Sequence, residues 1–376
     1  MTTRRMNHSI LRVVAAGSLA ALVAACSSAA GAPAPGVSTS AVTAAPSAAL
    51  VAPKPTLVAT SSPPASVAVI GDGEAWIAFQ PFDPGALLAI RPDGAGRHVL
   101  FPSVTAGAQL HPDWSPDGEQ IVFGVQGADS ETLWVGDADG TNTKQIVDCT
   151  APCQWVNEPA WSRHGRSIAF QRMVSQDGVG VSTLEIFDVM RHRTRIAFTA
   201  APTRAIFAPR WNHDGTQLVF EYVEKASPAV DADVTGNALA IIDLTDENPT
   251  AREITYVDDR CNNPDWSWVN DTIICSKPVS TTGYDGPADI VSVRPGSFTR
   301  FVRMTAVAAD GKQAVMPTWL PDGSGIVFAD WGGAMSTIQA HGTSLAPAVA
   351  GDPVMGLFPR FRPTPRSPGS EPGTLG

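Results

Sequence analysis

The chain has 376 residues, 44% of them hydrophobic, so it can bury a substantial core. With 33 Gly and 32 Pro it favours short strands and turns over long helices. Net charge is −10, and the first 25 residues carry three Arg and no acid, so the remainder reaches −13. That acidity, without a basic cluster, argues against nucleic acid as partner and against electrostatic docking onto anionic lipid.

The N-terminus begins with a basic stretch (Arg4, Arg5, Arg12) and continues as an apolar run from Val13 to Ala25. The run is too short for a membrane span and reads as a signal peptide over residues 1–25. It ends in Leu22-Val23-Ala24-Ala25-Cys26, which resembles the bacterial lipobox. The resemblance implies cleavage before Cys26 and a thioether-linked lipid on its thiol. A secretory signal with an incidental Cys is the alternative. Arg4-Arg5 raises twin-arginine export, but the rest of that motif is poor, which favours general secretion.

Ser27 to Ser66 is almost all Ala, Pro, Ser, Val and Thr, with Lys54 its only charge. With Cys26 it reads as a disordered tether over residues 26–66, which would hold a folded domain off a membrane.

The folded region announces itself by a repeat. Pro112-Asp113-Trp114, Pro159-Ala160-Trp161, Pro209-Arg210-Trp211, Pro264-Asp265-Trp266 and Pro317-Thr318-Trp319 are followed by a reduced copy, Pro359-Arg360-Phe361. Their aromatic positions are spaced by 47, 50, 55, 53 and 42 residues. Most copies continue into a turn such as Ser115-Pro116-Asp117-Gly118, then a strand-like run such as Gln120–Phe123. A turn of that composition between apolar runs predicts a hairpin. Two further short runs complete four antiparallel strands, which is one propeller blade.

The chain ends complete each other. Glu74–Phe79, Leu87–Gly94 and Arg97–Phe101 match the second, third and fourth strands of a repeat whose first strand is missing. Pro359-Arg360-Phe361 is a first strand with nothing after it. The expectation is an all-β, six-bladed β-propeller with a shared first and last blade over residues 67–365, and a flexible tail over 366–376.

The Pro-x-Trp-Ser-Pro-Asp-Gly pattern, the following x-x-Ile-x-Phe and the Asp-x-Asp-Gly turn resemble the WD40-like repeat of TolB-type propellers. The resemblance covers nearly all of the mature folded chain. It departs at Trp268-Val269-Asn270, which replaces the Pro-Asp-Gly turn, and the Gly-His…Trp-Asp signature of true WD40 repeats is absent. It implies a fold and an interaction platform, with the Trp and Ile/Phe positions packing blade against blade.

Besides Cys26 there are Cys149, Cys153, Cys261 and Cys275. An even number in an exported chain points to disulfides. Of three possible pairings, Cys149–Cys153 within one loop and Cys261–Cys275 across adjacent strands are favoured. Free buried thiols are the alternative. No His accompanies either pair at zinc spacing.

Chemistry-bearing patterns are sparse. His164 and His213 fall in the turns of successive blades, too far apart around a ring to share a metal. His111 precedes a first strand and either faces the channel or is a rim residue. Asp137-Ala138-Asp139-Gly140 has the look of a calcium loop, but Asp-Gly is also what a tight turn requires. Asp231-Ala232-Asp233 and Asp258-Asp259-Arg260 read as solvated loops. There is no nucleophile elbow, zinc-protease helix or phosphate loop. No cluster of His, Asp or Arg is seen at repeat-equivalent positions of the first strands. The leading expectation is therefore a monomeric binding module on the extracytoplasmic face of the membrane. It has no catalytic residues, metal or cofactor, and its partner is an envelope protein, peptide or glycan. The alternatives are a propeller hydrolase or lyase with its site in the central channel, and a stand-alone sensor binding a small ligand there.

Overall fold

The computed structural model describes residues 74–363, apart from 84, 129–130, 280–285, 331–333 and 352. The signal peptide, Cys26, the tether, residues 67–73 and the tail lie outside the described residues.

Among the described residues, twenty-four strands form six four-stranded antiparallel sheets. The chain enters with β1 (Ile77–Gln80), β2 (Leu88–Ile90) and β3 (His98–Val99). Blade 1 is β4 (Ala108–Trp114), β5 (Gln120–Gln126), β6 (Glu131–Asp137) and β7 (Lys144–Val147). Blade 2 is β8 (Cys153–Trp161), β9 (Ser167–Gln176), β10 (Val179–Asp188) and β11 (Arg193–Thr199). Blade 3 is β12 (Arg204–Trp211), β13 (Gln217–Lys225), β14 (Val234–Asp243) and β15 (Arg252–Glu253). Blade 4 is β16 (Asn262–Trp266), β17 (Ile273–Pro278), β18 (Ala288–Val293) and β19 (Val302–Arg303). Blade 5 is β20 (Ala314–Trp319), β21 (Gly325–Asp330), β22 (Met335–Gln339) and β23 (Ala346–Pro347). Last comes β24 (Leu357–Phe361), which pairs with β1 and completes blade 6 in the order β24-β1-β2-β3. The six-bladed ring with a shared blade is thus present, closed by Ile77 opposite Phe361 and Ala78 opposite Arg360.

The repeat motif does two local jobs. Its turn is held by Gly118 N donating to Ser115 O (2.9 Å), with Ser115 Oγ donating to Asp117 Oδ1. Gly118 sits at φ 72, a left-handed conformation that a side chain resists. Blade 4 lacks this Gly, yet Ser267 N still donates to Thr272 O (3.0 Å), matching Ser115 N to Gln120 O elsewhere. The departure changes side chains and keeps the loop length.

The second job is packing. Trp114 sits in one core with Trp76, Ala78, Ile121 and Phe123, joining blades 6 and 1. Trp211 does the same with Ala160, Ala169 and Phe220 between blades 2 and 3. A buried Trp removes roughly 150–250 Å² from water, on the order of 5 kcal/mol before entropy is charged. Indole N–H groups add stitches from blade to blade: Trp114 Nε1 donates to Arg360 O, and Trp211 Nε1 to Ala160 O, both at 3.0 Å.

Every first strand carries the same irregularity. The residue before each Pro, namely His111, Glu158, Ala208, Asn263, Met316 and Phe358, has φ between 47 and 54. Each lies where the pairing register slips. These are β-bulges, one per blade, and a left-handed non-glycine residue is uncommon enough to mark a built feature. A bulge takes its own amide out of the ladder, and a buried amide must find another acceptor. That requirement places polar side chains around the axis.

The closure is testable. Removing residues 357–376 leaves β1 paired with β2 alone and exposes an edge beside Ile77 and Phe79, both fully buried. The truncated protein is expected to aggregate or to elute as higher oligomers in size-exclusion chromatography with light scattering. A stable monomer would show that the ring does not depend on its last strand.

Candidate functional site: the axial channel

The first strands place two layers of side chains on the axis. The middle residue of each Pro-x-Trp triplet gives the layer nearer the hairpin turns: Asp113, Ala160, Arg210, Asp265, Thr318 and Arg360. This is a repeat-equivalent cluster of Asp and Arg on the first strands, contrary to the expectation from sequence that there is none. The signal was present but hidden, because the residue type at this position changes from blade to blade.

The layer has an internal two-fold pattern. Arg360 Nε lies 3.3 Å from Asp113 Oδ1, and Asp113 Oδ2 accepts Trp161 N at 2.8 Å. Arg210 Nε lies 3.8 Å from Asp265 Oδ1, and Asp265 Oδ2 accepts Trp319 N at 2.7 Å. Each Arg–Asp–Trp chain thereby crosses three consecutive blades. Arg360 Nη1 also donates to Thr318 Oγ1, which links blade 5 to blade 6. Burial pushes the Asp113 carboxyl up and that of Asp265 up to about 6, while the two guanidinium groups pull both back down. Burial and neighbouring Arg210 lower Arg360 to about 10, which leaves it charged at neutral pH.

A cavity of about 40 Å³ lies at this end, lined by Asp113, Arg210, Asp265, Thr318 and Arg360 among others. It has room for a few water molecules. Trp268, from the irregular turn of blade 4, also lines it, and its carbonyl accepts from Arg163 of blade 2. That contact reaches across blade 3.

The second layer serves the bulge amides. Glu158 Oε2 accepts Ala208 N (2.6 Å), Glu221 Oε1 accepts Asn263 N (2.6 Å), and Gln80 Oε1 accepts His111 N (3.4 Å). Glu158 N donates to Asn157 Oδ1 (2.7 Å), which also accepts His111 Nδ1. His111 is thus buried inside β4, not ahead of a first strand, and its ring meets Phe358 edge-on at 4.3 Å. Burial lowers its pKa to about 3, so the imidazole is neutral.

Glu131 comes from a third strand, so the repeat gives no hint of it. In blade 1 the residue equivalent to Gln80 and Glu221 is Gly124. A Cβ added there would lie 3.4 Å from Glu131 Oε1, so Glu131 occupies the space that the missing side chain leaves. Both its oxygens are buried without a hydrogen-bond partner in the described residues. Burial pushes its carboxyl well up, and Glu158 pushes it further. Burial and Glu158 likewise raise Glu221 to about 8.

The other sequence candidates lie elsewhere. Cys149 is joined to Cys153 (Cα–Cα 5.2 Å) and Cys261 to Cys275 (5.7 Å). His164 Nε2 donates to Asp214 O at 2.9 Å, and His213 Nδ1 is 3.4 Å from Asp271, so each turn His reaches the next blade's turn. The Asp137–Gly140 turn uses its own oxygens: Asp139 Oδ1 accepts from Thr141, and Asp137 accepts from Gln120 and Asn142. Asp259 pairs with Lys277 at 3.3 Å. Among the described residues no group of three His, Cys, Asp or Glu is placed to hold a metal ion. No helix among them is long and apolar enough to cross a membrane.

The fold matches solved propellers. TolB from Acinetobacter baumannii superposes with a TM-score of 0.55 at 14% identity, over 78% of this chain and 68% of that one. Putative TolB from Agrobacterium tumefaciens gives 0.52 at 18%, over 74% and 89%. Hydrazine synthase from Kuenenia stuttgartiensis gives 0.54 at 13%, over 79% of this chain and 48% of that one. No family model and no curated protein matches the sequence. The chain therefore has a TolB-like six-bladed propeller fold.

The channel carboxyls set a pH dependence. Glu221 holds its proton in the fold up to about 8, while the unfolded chain releases it near ~4.3. Its contribution is fully present below the unfolded value and is lost as pH rises through 8. His111 acts oppositely: its contribution is present above ~6.5 and is lost as pH falls towards 3. The two oppose each other between ~4.3 and ~6.5, and above that the raised carboxyls of Glu221 and Glu131 act without His111 against them. Tm is expected to fall as pH rises from about 6.5 to 8.5, with a shallower slope in E221Q. Equal slopes in the two proteins would contradict the buried, protonated Glu221.

Proposed function

We propose that this chain is an exported lipoprotein, anchored through Cys26, whose propeller serves as a binding module for a protein, peptide or glycan of the cell envelope. The division into a signal peptide (1–25), a lipidated tether (26–66) and a propeller from 67 belongs to the same reading. The propeller's likeness to TolB supports it at the level of fold.

The observation that carries it is the asymmetry of the face opposite the Pro-Asp-Gly turns. In blades 2 and 3 the second and third strands run nine or ten residues, against three to seven in the other blades. Their hairpins pack on each other, with Gly180 N donating to Pro228 O (2.8 Å) and Val179 bridging Ala229. Lys225 Nζ ties the second hairpin down by donating to Ala229 O (3.0 Å). Trp155, Met173, Phe207 and Val223 form a core beneath them. The result is a braced wall beside the acid-rich half of the channel. Fixed walls beside a concavity suit recognition, since little entropy is lost on binding. The charged groups of the other half are spent on one another and on backbone amides, which fits binding better than turnover.

Crosslinking and affinity capture from membranes, with C26A in parallel, test this. The unsubstituted protein is expected in the membrane fraction with one dominant envelope partner, and C26A in the soluble fraction. Capture of no partner, together with turnover of a glycan or peptide library, would overturn the binding module. Retention of C26A in the membrane would overturn the anchor.

A further inference from the structure

Each blade ends in an outer strand whose far edge is unpaired, and the six blades serve as controls for one another. Four of these strands have two residues and β7 has four, whereas β11 has seven. The length of the neighbouring strand does not force this. In blade 3, β14 is as long as β10, yet its outer strand β15 has only two residues. The edge is bulged at Ala197, between Ile196 and Phe198, but its first four residues are exposed, and a long open edge is a template for another strand, which natural proteins usually keep short.

Its charge is also unusual for this chain. Arg191, Arg193 and Arg195 follow one another at alternate positions on or just before β11, in a protein of net charge −10. Arg191 pairs with Asp188 at 2.8 Å but stays 77% exposed. Arg193 and Arg195 are exposed, and among the described residues neither has an ion pair. Beside them Ile196 is 60% exposed.

We propose that β11 is a docking edge for an extended acidic segment of another protein, which adds to blade 2 as a fifth strand. Main-chain hydrogen bonds to the open edge supply affinity, and alternate carboxylates against the arginines supply choice of partner and register. A second copy of this chain fits poorly, because two β11 strands side by side would set arginine against arginine. Residues 27–66 of the chain itself contain no acidic residue. The proposal is independent of the channel face.

The test is fluorescence anisotropy on the full chain, using a labelled eight-residue peptide that alternates Glu with Thr. A fully N-methylated copy and a Lys–Thr peptide serve as controls. Saturable binding is expected for the Glu–Thr peptide only, with slowed amide exchange across residues 194–197. R193E/R195E should weaken it about tenfold or more. Both positions are exposed, so an unchanged Tm certifies the fold, and R193Q/R195Q replaces that variant if the Tm drops. Three results would each overturn the proposal: no binding, equal binding of the N-methylated copy (charge attraction alone), or charge reversal without effect (arginines that only solvate the edge).

Discussion

The ring depends most on the pairing of Arg360 with Asp113. Arg360 stands on the strand that closes the propeller, and Asp113 on the first strand of the next blade. Asp113 in turn holds the backbone amide of Trp161 one blade further on. A buried guanidinium or carboxylate alone is expensive, and each is tolerated here because the other is present. The same device recurs on the far side of the axis with Arg210, Asp265 and Trp319. Two such chains, Thr318 beneath Arg360 and the Trp indole stitches leave no blade unattached to its neighbour. The apolar faces supply most of the burial energy, whereas the charges define which blade follows which.

The bulge before each proline explains the other polar layer. In each first strand the residue ahead of the Pro takes a left-handed φ, and the register slips there. The amide freed by the slip needs an acceptor, and Glu158, Glu221, Gln80 and Asn157 provide one in four blades. Buried acids on the axis are therefore first of all structural. Glu131 is different: it fills the space over Gly124, and its oxygens bond to nothing among the described residues.

Much of the fold was legible in the sequence because packing and turn chemistry repeat in residue type. Pro, Trp and Gly recur at fixed offsets, and the incomplete repeats at Glu74–Phe101 and Pro359–Phe361 complete each other. The channel was not legible in the same way. The middle residue of the triplet is Asp, Ala, Arg, Asp, Thr or Arg, so a search for a recurring type passes over it. Its meaning appears only when neighbours around the ring are read as pairs. The left-handed residue was hidden for a similar reason: of His, Glu, Ala, Asn, Met and Phe, few favour that conformation. His111 lies inside β4 and not ahead of it, because the bulge lengthens the first strand beyond its Pro-x-Trp signature.

The most direct measurement is a double-mutant cycle on Arg360 and Asp113 by denaturant unfolding. R360A is expected to cost about 3–5 kcal/mol, because it strands a buried carboxylate, and R360A/D113A to recover much of that loss. Additive losses would contradict a closure that rests on this pair.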